Sequence, residues 1–121
     1  MTDRELLELA AKAAGIDGVW HEKWRCLVYM GAPPFVGGVI HHTWSPLTDD
    51  GDALRLAVQL QISVEFGEDG NNGPTYMAGY FTDNGNRLRY AIEHETPAQD
   101  ASAATRRAIV RAAAEIGKLQ S

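Results

Sequence analysis

Three carboxylates stand within four positions, Asp49, Asp50 and Asp52, inside "SPLTDDGDALRLAVQL". Such a cluster could hold a calcium ion, supply an acid–base pair, or open a helix. An EF-hand loop needs alternating oxygen ligands, glycine at its sixth position and a bidentate glutamate at its twelfth. "DDGDALRLAVQL" has none of that spacing. Helix opening fits instead: Asp49 or Thr48 caps, and Asp50 and Asp52 occupy the first turn, where the positive end of the helix dipole favours carboxylates. "FGEDGNNGP" is also rich in oxygen ligands, but its composition is that of an ordinary exposed turn.

The remaining reactive residues do not assemble into a motif. His41 and His42 are adjacent on a predicted strand, so their side chains point to opposite faces and cannot share one metal. His21 and His94 are distant from them in sequence. No Ser-His-Asp or Cys-His pattern has a supporting motif, and "GAPPFVGG" lacks the spacing and the Lys-Ser/Thr ending of a phosphate loop. Cys26 shares the apolar parity of its strand and reads as a buried, inert thiol. No catalytic residue, cofactor or metal is assigned.

Two candidate surfaces remain. Arg106, Arg107 and Arg111, extended by Arg87 and Arg89, could touch phosphates, although a solvated helix face is the plainer reading in an acidic chain. Trp20, Trp24, Tyr76 and Tyr80 are candidates for protein interaction, because tryptophan and tyrosine favour interfaces. Core packing is the competing reading for these four.

A chain of 121 residues with 45% hydrophobic and 22% charged residues is expected to form one globular domain, residues 1–121, with a core of its own. The net charge of −5 argues weakly against bulk binding to phosphate backbones. A single cysteine excludes an internal disulfide and fits a reducing compartment. No apolar run reaches the ~18 residues of a membrane helix, and "MTDRELLELAAKAAG" lacks the layout of an export signal.

The elements that must position these residues are legible from caps and periodicity. Thr2 and Glu5 form a capping-box pattern, Leu6, Leu9, Ala10 and Ala13 recur at helical spacing, and Gly15 suits a left-handed C-terminal residue. Alternation from Val19 to Met30 predicts one strand with Trp20, Trp24, Cys26, Val28 and Met30 on one face. "GAPPFVGG" predicts a loop, and Val39–Trp44 a short strand ended by Ser45–Pro46. A largely buried helix follows over about Asp50–Leu60, apolar nearly all round, and then a strand bearing Ile62, Val64 and Phe66 on one face.

Asn84–Gly85 predicts a type I′ hairpin. It pairs Asp83 with Asn86, Phe81 with Leu88, Gly79 with Tyr90 and Met77 with Ile92. The large apolar side chains then share one face, while Tyr76, Tyr80, Arg87, Arg89 and Glu93 share the other, which is expected to meet water. Thr96, with Pro97 after it, opens the last helix, and Asp100 is a second possible start. Ile109, Ala112, Ala113, Ile116 and Leu119 form its stripe, and Arg111 can meet Glu115. The order α-β-β-α-β-β-β-α predicts an α+β fold: a four- to five-stranded, mainly antiparallel sheet covered by three helices.

"WSPLTDDGDALRLAVQLQISVEFG" and "ATRRAIVRAAAEIGKL" resemble a family of short proteins encoded by tailed bacteriophages and by prophages of proteobacteria. The likeness is strong from Trp44 to Ala57 and from Ala104 to Ala114, and looser elsewhere. Ser45 stands where asparagine is common in the family, and the "ETPAQDASAA" approach to the last helix is extended. The resemblance implies an α-β-α sandwich-like domain working in the cytoplasm of a bacterial host. It brings no activity with it, and so no catalytic residue. The expected function is that of a non-enzymatic phage or prophage accessory protein that binds a protein partner or its own copy. The alternative is a nucleic-acid-binding factor using the arginine face. A small hydrolase would require a histidine to converge with a carboxylate.

Overall fold

The computed structural model describes residues 1–30, 41–71, 73–82, 85 and 87–120. The expected "GAPPFVGG" loop, the first two residues of the Val39–Trp44 strand, Asn72, and Asn84 with the Asp83–Asn86 rung lie outside the described residues.

Among the described residues there are three helices, α1 (Asp3–Ala14), α2 (Asp50–Leu60) and α3 (Ala101–Lys118). The strands are β1 (Val19–His21), β2 (Cys26–Met30), β3 (His41–Trp44), β4 (Ser63–Asp69), β5 (Gly73–Thr82) and β6 (Arg87–Glu93). The fold is α+β as expected, but its strands make two antiparallel three-stranded sheets, β1–β2–β3 and β4–β5–β6, rather than one.

The additional strand arises where Val19–Met30 breaks. Arg25 adopts a left-handed φ of 51° and returns its N–H to the His21 carbonyl at 2.8 Å, while His21 Nδ1 accepts the Trp24 N–H at 3.1 Å. This tight turn changes the parity that simple alternation predicted. Trp20 now pairs with Leu27, and Leu27 with Trp44, so the core face carries Trp20, Leu27, Tyr29 and Trp44.

Caps explain the helix ends. Thr2 Oγ1 accepts the Glu5 N–H at 3.1 Å, and Gly15 closes α1 in the left-handed region at φ 72°. Asp49 caps α2 by accepting the Asp52 N–H at 2.8 Å. The cap of α3 is Asp100, the second of the two expected starts. Thr96 and Gln99 instead bond each other's backbone, and the Gln99 amide is tied to Glu93 and the His94 carbonyl, which holds this segment to β6.

Helix α3 is the centre of the packing. Its buried residues are Ala104, Ala108, Ile109, Val110, Ala112, Ala113, Ala114 and Gly117. Six of these eight are alanine or glycine, so neighbouring backbones can come close. The approach is tightest where α1 crosses it, since a Cβ at Gly117 would collide with the Leu9 carbonyl oxygen. On its other side α3 meets the β4–β6 sheet. Helix α2 buries only Ala53, Leu56 and Ala57 against this core, and Leu54 and Val58 are exposed. The expectation of a largely buried α2 therefore fails, because it lies at the periphery with one side covered. No described helix is long and apolar enough to cross a membrane.

Candidate functional site

The β5–β6 register is the expected one, with Met77 opposite Ile92, Gly79 opposite Tyr90 and Phe81 opposite Leu88. Gly85 has the positive φ, 87°, that the turn chemistry requires. The faces, however, are reversed with respect to solvent. The side packed on α3 carries Tyr76, Ala78 and Tyr80, which are 9%, 0% and 8% exposed. The opposite side carries Phe81, Leu88, Tyr90 and Ile92, which are 57%, 44%, 42% and 46% exposed. The larger apolar side chains of the hairpin thus face water.

This reversal has a physical cause. Helix α3 offers a smooth alanine surface, and the sheet meets it with Ala78 and Ala91, which allow close approach, and with two tyrosines whose polar ends reach the margin. Tyr76 donates its hydroxyl proton to Glu95 at 2.5 Å. The Ala78–Ala91 rung lies in the middle of this face with the tyrosines on either side of it, whereas the outer face carries Tyr90 on its middle rung, so the tyrosine–alanine face is the one that docks.

The outer face is contiguous. Gly79 sits at its centre with the Tyr90 ring over it, at the 3.0 Å that a Cβ there would meet. Such cover offsets the packing lost at a strand glycine. Met77 lies across Gly67 in the same way, 3.1 Å from a Cβ built there. On β4 the outward positions are Ser63, Glu65 and Gly67, of which Ser63 and Gly67 are smaller than any residue of the β6 row. The Tyr90 phenol is raised above the ordinary tyrosine range, first by its hydrogen bond to Glu65 and then by burial. At one end Thr75, Met77, Ile92 and His94 line a shallow hollow, and the Nδ1 of His94 is buried without a hydrogen-bond partner among the described residues.

The aromatic residues singled out from sequence divide. Tyr76 and Tyr80 belong to the buried face, so the expectation that they are exposed is overturned. Trp20 is half-buried, donates its indole N–H to Glu22 at 2.8 Å, and has the guanidinium groups of Arg4 and Arg25 5.9 and 5.5 Å from its ring centre. Only Trp24 of the four stands well out, stacked on His21 with ring centres 4.1 Å apart. A second apolar opening, a cleft of about 360 Å³, lies between Leu54, Val64, Phe66 and Ile109 with Arg106 and Asp50 at its lip.

The arginines are engaged inside the fold. Arg106 bonds Asp50 at 2.6 Å and the Leu47 carbonyl at 2.9 Å, tying α3 to α2. Arg107 bonds Asp3 of α1 at 3.1 Å. Arg111 bonds Glu93 and the Ile92 carbonyl of β6, whereas the expected partner, Glu115, pairs with Lys118 at 3.0 Å. The three aspartates are likewise structural. Asp49 caps, Asp50 holds Arg106, and Asp52 accepts both the Ser45 N–H at 3.0 Å and Arg55 at 2.7 Å. No group of three His, Cys, Asp or Glu among the described residues could hold a metal ion. Cys26 is buried as expected, and burial, followed by the charge of Asp52, pushes its thiol pKa up.

Sequence reasoning placed Met77, Phe81, Leu88, Tyr90 and Ile92 together but on the wrong side. The signal for the correct side was the run of small residues in α3, which asks for a closely fitting, alanine-bearing sheet face. Comparisons with protein-family models, with curated proteins and with solved structures find no match to this chain.

Proposed function

We propose that this chain is a non-enzymatic protein-binding module that works through the outer face of the β4–β6 sheet. The carrying observation is the exposure of Phe81, Leu88, Tyr90 and Ile92 on one contiguous face. Contiguous exposed apolar patches on soluble proteins mark interaction sites, whereas scattered apolar residues do not. Trp24 on His21 is a separate exposed aromatic pair that could extend the contact. The likeness of residues 44–57 and 104–114 to short phage and prophage proteins supports an accessory role in a bacterial cytoplasm. The nucleic-acid reading has less support, since Arg106, Arg107 and Arg111 each hold an acidic partner within the fold.

The test is affinity capture from a bacterial lysate with the wild-type chain, with Phe81→Glu and with Arg107→Ala, each with and without nuclease. Protein capture that survives nuclease and is lost only in Phe81→Glu supports the reading. Capture abolished by nuclease and by Arg107→Ala would replace it with the nucleic-acid alternative.

A further inference from the structure

We propose that the partner of this face is the same face of a second copy, related by a two-fold axis over the central strand β5. The inference rests on the reading of the outer face as the binding surface, and adds the identity and geometry of what covers it.

Shape supplies the first argument. One flank of the face is a ridge formed by Leu88, Tyr90 and Ile92 of β6; the other is low at Ser63 and Gly67 of β4, with Glu65 standing between them. A two-fold axis over β5 sets the ridge of each copy above the low flank of the other, so both contacts form at once and the assembly closes. Packed sheets separate by about 10 Å with strands near 30° apart, which suits side chains of this size.

Charge supplies the second. Two copies that each carry −5 repel at long range, so a contact that brings few further like charges together at close range is favoured. Among the described rungs from Ser63 to Gly67, Thr75 to Phe81 and Leu88 to Ile92, the outward positions carry one charged residue, Glu65. The sheet edges are different. Strand β4 carries Glu65, Glu68 and Asp69, and β6 carries Arg87 and Arg89, so like charges oppose a two-fold β4–β4 or β6–β6 edge contact. The face is therefore the better self-contact.

Area supplies the third. Met77, Phe81, Leu88, Tyr90 and Ile92 expose on the order of 400 Å² together, taking about 200 Å² for a side chain of this size. Doubled, that is roughly 800 Å² from five residues, and the exposed β4 positions add to it, which places the contact among small, reversible interfaces rather than obligate ones.

Sedimentation across a concentration range, with oxidative cross-linking, tests the proposal. The wild-type chain is expected to sediment as a concentration-dependent dimer. Phe81→Glu and Leu88→Glu should each weaken self-association about 100-fold or more, because the two-fold applies each buried charge twice, while the monomer's melting temperature stays put. Met77→Cys, near the axis, should form an intermolecular disulfide, and Val58→Cys on exposed α2 should not. A monomer at the highest soluble concentration overturns the two-fold. So does a dimer that persists in Phe81→Glu, or cross-linking as ready at Val58→Cys as at Met77→Cys. A monomeric wild type that nonetheless loses a captured protein in Phe81→Glu defeats the self-pairing alone. A monomer whose capture is indifferent to Phe81→Glu defeats the binding face as well.

Discussion

Tyr80 and Phe81 are neighbours in the chain and opposites in environment. Tyr80 lies against α3, whereas Phe81 stands in water. The same contrast runs along the whole β5–β6 pair, where a face of two tyrosines and two alanines is buried and a face of large apolar side chains is open. What decides between them is the fit to α3 rather than hydrophobic mass. A close alanine surface rewards a sheet face whose middle rung is small, Ala78 with Ala91, over one whose middle rung carries Tyr90.

The contrast is broken most severely by Tyr80→Ala. Truncating a buried aromatic costs about 3–5 kcal/mol, and the low end applies because clefts beside Glu115 and Arg89 already border this ring. A melting temperature lowered by at least about 10 °C is expected, at a few degrees per kcal/mol for a chain of this size. An unchanged melt would mean that the tyrosine face is not the packed one. Gly117→Ala probes the other side of α3. Alanine gains up to about 1 kcal/mol in helix propensity, yet its Cβ would collide with the Leu9 carbonyl oxygen. Moving two helices apart should outweigh that gain and leave a net loss of about 2 kcal/mol in denaturant titration.

How much of this was visible beforehand differs by level. Local chemistry was legible: Thr2, Asp49, Gly15 and Gly85 act through groups one turn away, and the hairpin register follows from Asn84–Gly85 and pleat parity alone. The direction in which that hairpin faces was not. It depends on Ala104, Ala108 and Ala112, which follow the end of the hairpin at Glu93 on another element, and on how close they let a sheet come. The break at Arg25 was hidden for a similar reason, because a non-glycine residue in the left-handed region gives no compositional signal. The roles of Arg106, Arg107 and Arg111 turned on partners far away in sequence, which no helical spacing could reveal.

The arginine ties set the next effect. Arg106→Ala removes a bond to the Leu47 carbonyl and an ion pair whose Asp50 side is exposed, so about 1 kcal/mol is expected. Equilibrium unfolding measures it, and Arg106→Lys should recover only part. A smaller effect belongs to alkaline pH. The phenols of Tyr76, Tyr80 and Tyr90 are all raised above the free value of 10.0, by a hydrogen bond to Glu95, by burial and by a hydrogen bond to Glu65 respectively. A phenol that holds its proton more tightly when folded contributes stability that is complete below the unfolded value and is lost as pH rises through the folded one. The melting temperature should therefore fall above about pH 10, and Tyr76→Phe should flatten that fall.

The smallest expected effect is the most informative about the outer face. Leu88→Thr removes a side chain that is nearly half in water and replaces it with a good strand former, so monomer stability should move by no more than about 0.5 kcal/mol. Measured at low protein concentration, near-neutrality here beside a severe loss at Tyr80 would show that the two faces of one hairpin carry separate tasks, one holding the fold and one free for contact. A loss near that of Tyr80→Ala would instead mean that Leu88 is packed within the monomer. The partner-facing role of this surface would then have no residue to rest on.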